Sequence, residues 1–317
     1  MHPYDAMSSA FTVAHGRRHG LTRWDLESAL FERPFHGLRA PRHTEADEHP
    51  AATEQMAIIR AARHFTAHMN DHEFFSHSTA ALLWGVPLPR LGRTEVHVSV
   101  LAPHRAPRGS GVRGHQLAAR AVRLVHHSEL GLALTDPATT WALLGHELRH
   151  PYDLVAAADA FVRVDRMPGP GSRVIRPALA SIADLRRAIP PGRRGVLALR
   201  EALGRVRVGS ASRMETWMRL TVVDAGLPEP VLDHDVYDAL GRFLGCVDGA
   251  YPFARVALEY EGDHHRTDER QWQRDIVKHD DLARAGWRVI RLTREQVFGQ
   301  PGRLAARVRD ALRASAR

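Results

Sequence analysis

The chain has 317 residues, 44% hydrophobic and 25% charged, and its 44 basic against 36 acidic side chains leave a formal net charge of +8. Length and composition describe a globular protein of about two domains, and the positive balance attracts polyanions, nucleic acid among them. One cysteine, Cys246, excludes an internal disulfide framework and a cysteine-based zinc site, and no apolar run approaches the ~18 residues of a membrane span.

The first residues, MHPYDAMSSAFTVAHG, lack the charged and apolar segments of a signal peptide, so a reducing cytoplasm and no membrane partner are expected. AFTVAHGRRHGLTRWDLESALFER reads as two short helices around Gly20, with Thr22 as N-cap and Asp25 in the first turn. PFHGLRAP follows as a short strand or wing, giving residues 1–45 the proportions of a helix-turn-helix unit. ADEHPAATEQ looks like a connector. Residues 46–177 then mix helices (IIRAARHFTAHM, STAALLWGVPL, DPATTWALLGHEL, PYDLVAAADAFVRV) with a strand, TEVHVSVLA, whose Val96, Val98 and Val100 share a face. DRMPGPGSRVIRP, residues 165–177, is dense in Gly and Pro and reads as a linker.

Residues 178–317 form the third part, with a core at 206–300. A helix ends at Gly226, three strands follow, then a long helix to Gly286, a strand WRVIRLT and a last helix, in the order α-β-β-β-α-β-α. The expected class is α/β (α+β): a mostly helical N-terminal unit, a mixed middle, and a C-terminal mixed sheet flanked by helices.

The third strand, ARVALEYEG, puts Ala257, Glu259 and Glu261 on one face. The two carboxylates stand roughly 7 Å apart, which at an effective dielectric of ~20 costs on the order of 2 kcal/mol. Asp248 ends the preceding strand, and a hairpin would bring it alongside. Three acids with no lysine between them would suit a divalent ion with hard oxygen ligands, Mg2+ or Mn2+. Glu215 offers a fourth acid, although Ser212-x-x-Glu215 is also a capping box. His264 and His265 follow the acids and titrate near neutrality; Asp275 and Lys278 form an i,i+3 pair on the long helix. His64, His68 and His72 recur at helical spacing that could hold Zn2+, but an exposed polar face is the simpler reading.

From METWMRLTVVDAG through EYEGDHHRTDERQWQRDIVKHDD to GWRVIRLT the chain resembles domains related to the very-short-patch-repair endonuclease, within the PD-(D/E)xK superfamily, over about residues 206–300. The resemblance implies a restriction-endonuclease-like sheet and a metal-dependent phosphodiesterase. Asp248 and Glu259 would hold Mg2+, with Glu261 as third ligand or base. Glu215 would complete the site and His265 would assist, with His264, Asp275 and Lys278 around them. Glu261 stands where that superfamily has its lysine, a departure that bears on activity.

FTVAHGRRHGLTRWDL, RPFHGLRAP, FSHSTAALLWGVPLP and LALTDPATTWALL resemble AbiEi-type antitoxin-like regulators, which begin with a winged-helix-like DNA-binding unit. Arg17, Arg18 and Arg23 become candidate phosphate contacts, with Arg274 and Arg291 in the arginine-rich C-terminal flank. The expected function is Mg2+-assisted cleavage of nucleic acid, DNA first. The rival is a DNA-binding regulator whose nuclease-like domain does not cut.

Overall fold

A computed structural model describes residues 9–42, 53–128, 130–189, 191–192, 195–261 and 269–315. Helix and strand make up 42% and 23% of it, the mixed α/β class that the pattern of the sequence implies. The chain divides into two compact units. One comprises Met1–Glu147 with Arg187–Val196, the other Leu148–Arg186 with Leu197–Arg317.

The first unit opens with β1 (Phe11–Thr12), α1 (Val13–Arg18), α2 (Arg23–Glu27), β2 (Phe31–Glu32) and β3 (Leu38–Pro41). The strands form a three-stranded sheet in the order β1-β3-β2. Thr22 caps α2 as expected, in a full capping box with Asp25. Next come α3 (Thr53–Phe65), β4 (Glu73–Phe75), α4 (His77–Leu83), β5 (Val96–Leu101), β6 (Val112–Leu117), β7 (Leu124–His127), β8 (Leu132–Thr135) and α5 (Pro137–Leu144). Asp136 caps α5, with Pro137 at its first position. The strands β4 to β8 make one mixed sheet in the order β6-β5-β4-β8-β7.

Residues 1–45 do not stand apart as a separate domain. Phe35 and Leu38 are buried in one apolar cluster with Phe65, Phe75, Leu83, Val96 and Val98. A cut after residue 45 would split that core.

The second unit contains α6 (Pro151–Val162), β9 (Asp165–Arg166), β10 (Val174–Arg176), α7 (Ile182–Arg187), α8 (Val196–Gly204) and α9 (Arg213–Asp224). It continues through β11 (Val231–Tyr237), β12 (Phe243–Tyr251), β13 (Val256–Tyr260), α10 (Glu269–Arg284), β14 (Arg288–Leu292), α11 (Arg294–Phe298) and α12 (Pro301–Ser315). The expected order from α9 onward is present, with α11 added. The Gly/Pro-rich stretch 165–177 is not a linker: β9 and β10 pair as a hairpin inside this unit. Arg166 anchors it, bonding Asp233 Oδ2 at 2.6 Å and Asp235 Oδ2 at 2.7 Å on β11.

The second sheet runs β11-β12-β13-β14. Its first two pairings are antiparallel and the third is parallel, with α10 as the crossover. One face carries Met218 and Val222 of α9 against Val256, Leu258 and Ile290. The other packs Leu282 of α10 against Val247, Ala250 and Ala257. The sheet is thus covered on both sides, and side chains at the ends of β12 and β13 are flanked by helices.

Candidate functional site

Asp248 lies in β12 and Glu259 in β13. The antiparallel ladder runs to Gly249 opposite Leu258, so Asp248 and Glu259 are the next residues on the two strands. The Tyr260 amide donates to Asp248 Oδ2 at 2.7 Å. Glu215 sits in the first turn of α9, buried. Its amide donates to Ser212 Oγ at 3.2 Å, and its Oε2 accepts from the Ala211 amide at 2.6 Å. The capping role is therefore present, reaching one residue further back than a capping box does. Burial first, and the neighbouring charge of Asp248 second, push the Glu215 carboxyl up to about 8, so at neutral pH it holds its proton beside Asp248.

Glu259 is met by a lysine and a histidine of α10. The Lys278 ammonium donates to its Oε1, and His279 Nε2 lies 2.5 Å from its Oε2. Lys278 is one turn before Leu282, on the α10 face that packs against the sheet. Its aliphatic stem crosses Gly245 of β12. A Cβ there would stand 2.9 Å from Lys278 Cγ and 3.0 Å from Cδ and Cε, so the close approach requires glycine. The i,i+3 spacing suggested Asp275 as the lysine's partner; the helix instead turns the ammonium to Glu259.

Glu261 follows β13, its amide donating to Leu292 O at 2.8 Å. Its carboxylate pairs with the Arg291 guanidinium. Arg291 sits opposite Glu259 in the parallel ladder, one strand away. This corrects two expectations. The acids do not converge without cations between them, and Arg291 is engaged by Glu261 rather than held out for phosphate.

These contacts bear on the expected metal set. Among the described residues, the group of three potential ligands whose donor atoms lie within 4.8 Å of one another consists of His77, His97 and His115, with no carboxylate. Asp248, Glu259 and Glu261 are not a preassembled trio. Glu261 Oε1 stands against the Arg291 guanidinium, which offsets the charge that this carboxylate would offer a metal. Asp248 fits, with Glu215 beside it: two carboxyl groups whose mutual repulsion a proton now relieves would also suit a hard dication. His264 and His265 lie outside the described residues, as does the side chain of Arg274.

On the first unit, Arg17 and Arg18 are exposed at the end of α1, whereas Arg23 pairs with Glu27 at 2.9 Å. A groove of about 580 Å³ is lined by Arg33, His36, Arg39 and Ser110. These basic residues were not singled out because PFHGLRAP reads as a short strand or wing and Arg33 as the end of the helical stretch before it. The spacing of His64, His68 and His72 does not make a helical face. α3 ends at Phe65, His64 Nδ1 stands 3.5 Å from Glu32, and His72 stacks on His104 with ring centroids 4.3 Å apart.

The fold and site define a mixed α/β protein whose second sheet carries a carboxylate–lysine–histidine cluster. No protein-family model matches the chain. It is 30% identical over 241 residues to "Uncharacterized protein MT2308" of Mycobacterium tuberculosis (strain CDC 1551 / Oshkosh), an overlap of 76% of this chain and 81% of the relative. The same figures hold for "Uncharacterized protein Rv2248" of strain ATCC 25618 / H37Rv. The chain belongs to the family of these mycobacterial proteins. No helix among the described residues is long and apolar enough to cross a membrane.

Proposed function

We propose that the protein binds DNA and that its second unit hydrolyses phosphodiester bonds with Mg2+ or Mn2+. The observation that carries this reading is the placement of Lys278, the one lysine among 44 basic residues, on Glu259. Elsewhere arginine serves for positive charge. Here a compact ammonium on a flexible stem is used, the cation whose protonation is most readily tuned by its surroundings. The PD-(D/E)xK resemblance lacks a lysine at position 261; in this reading Lys278 of α10, which packs on the face that carries Glu259, would take its place. The element order α9-β11-β12-β13-α10-β14 also supports that resemblance.

In this reading Asp248 would hold the metal, with Glu215 and Glu259 beside it. A dication there would polarise the scissile phosphate and make bound water more acidic. Lys278 would sit against the charge that develops on the phosphate. His279, hydrogen-bonded to Glu259, would accept or return a proton. Arg17, Arg18 and the groove at Arg33 and Arg39 would hold backbone phosphates. Incubating the full chain with duplex and single-stranded DNA and Mg2+ or Mn2+, beside Asp248→Asn and Glu259→Gln, tests this. Metal-dependent cutting lost in both variants is expected; equal residual cutting would assign the activity elsewhere.

A second reading is a DNA-binding regulator that does not cut. The pairing of Glu261 with Arg291, and of Glu259 with Lys278 and His279, favours it. It predicts retardation of DNA by the wild type with no cleavage and no response to metal.

A further inference from the structure

We propose that the first unit contains a nitrogen-ligand site for a divalent transition metal, Zn2+ by chemical preference, built from His77, His97 and His115. Three adjacent elements deliver one imidazole each. His77 opens α4 directly after β4, His97 lies in β5, and His115 lies in β6. These strands are neighbours in the order β6-β5-β4. The ring centroids of His77 and His115 are 3.9 Å apart, of His97 and His115 5.0 Å, and of His77 and His97 5.3 Å.

Two features point to a ligand. Polar atoms sealed from water normally have a partner, yet His115 Nε2 is buried without a hydrogen bond. His97 is 1% exposed and its Nδ1 faces Glu147, which leaves Nε2 as its ligating atom. His77 also adopts a φ of +53°, a left-handed conformation unusual for a residue with a Cβ. That backbone geometry accompanies its ring's stacking on His115.

The surroundings suit ligation. Ser76 Oγ lies 2.8 Å from His77 Nδ1 and 2.6 Å from Ser99 Oγ, so Nε2 would be the ligating atom of His77. Glu147 is buried and its Oε1 stands 3.3 Å from His97 Nδ1, the carboxylate–imidazole arrangement that commonly supports a metal-bound histidine. Burial, followed by neighbouring positive groups, lowers His97 to about 3 and His115 to about 4, with His77 lower still. All three are therefore neutral at pH 7, the form that ligates. Arg113 and Arg93 oppose a dication, but Glu147 already offsets Arg93 at 3.2 Å. Tetrahedral Zn–N bonds of ~2.0 Å set nitrogens ~3.3 Å apart. Donors now within 4.8 Å must contract by rotation of the rings. Three protein ligands leave a fourth position for water or another ligand.

The test uses tag-free full-length protein treated with EDTA and titrated with Co2+ as a visible probe, then with Zn2+. One Co2+ per chain with an intense ligand-field band, displaced by one Zn2+, is expected. His97→Gln and His115→Gln should each weaken binding by more than tenfold, while Asp248→Asn and Glu259→Gln keep the band. His115 is only half-buried, so His115→Gln decides the matter if His97→Gln fails to fold. No binding of either metal at micromolar concentration, or unchanged binding in a folded His115→Gln, would overturn the assignment. The acid variants separate this site from the proposed cleavage site.

Discussion

Lys278→Met probes the pairing at the centre of the second sheet. Methionine keeps most of the stem over Gly245 but removes the ammonium from Glu259. Glu259 is 8% exposed, so water replaces the lost partner poorly. Removing one member of a buried ion pair costs ~3–5 kcal/mol. Here the lysine side chain is 24% exposed and His279 stays at 2.5 Å, so the expected loss is ~1–3 kcal/mol. Urea unfolding of wild type and variant at pH 7.5, followed by circular dichroism, measures it as a lower midpoint at unchanged slope. If the site cuts DNA, loss of a positioned cation should also slow cleavage by ~10²–10³-fold. Lys278→Arg separates charge from shape: most stability should return, but the planar head cannot reproduce a point charge. If Lys278→Met unfolds within ~0.5 kcal/mol of wild type and cuts equally fast, the pairing has neither role.

Glu215 makes stability depend on pH. Its folded pKa of about 8 lies above the ordinary carboxyl range, so the extra stability is complete below ~4.5 and is lost as pH rises toward 8. The limiting slope is ~1.4 kcal/mol per pH unit; Glu215→Gln should flatten it, and matching slopes in urea melts between pH 5 and 8 would contradict the assignment. Gly245→Ala inserts a methyl against the lysine stem and should cost about 1–2 kcal/mol, read as a fall in melting temperature. Arg219 is 1% exposed and bonds Asp159 at 2.8 Å, itself 1% exposed. Arg219→Met should therefore destabilise by ~3–5 kcal/mol, and adding Asp159→Asn should recover part of it. Arg17→Ala with Arg18→Ala should weaken DNA binding uniformly across sequences and reduce the log–log salt slope by about 2, checked by fluorescence anisotropy.

Local chemistry was readable where local chemistry decides. Thr22 and Asp136 cap α2 and α5, and Gly226 follows the end of α9, because caps depend on residues three or four apart. The alternation of Val96, Val98 and Val100 marked β5, but not that His97 and Ser99 on its other face are buried too. That follows from β5 lying inside a five-stranded sheet, which only long-range pairing determines. Asp248 and Glu259 were legible as neighbours through their hairpin. The partners of the acids were not: Lys278 reaches across 19 residues of sequence, and Arg291 comes from a parallel strand beyond a helix. His77, His97 and His115 carry no spacing signature, since each comes from a different element. The stretch 165–177 misled because Gly and Pro form a hairpin tip as readily as a linker.

The solitary lysine has a practical consequence. Apart from the α-amino group, this chain has a single primary amine, at Lys278. Reductive methylation with isotopically labelled formaldehyde would install one side-chain NMR probe over Gly245, beside Glu259 and His279. Its chemical shift would register ions or oligonucleotides arriving there without any substitution in the sheet.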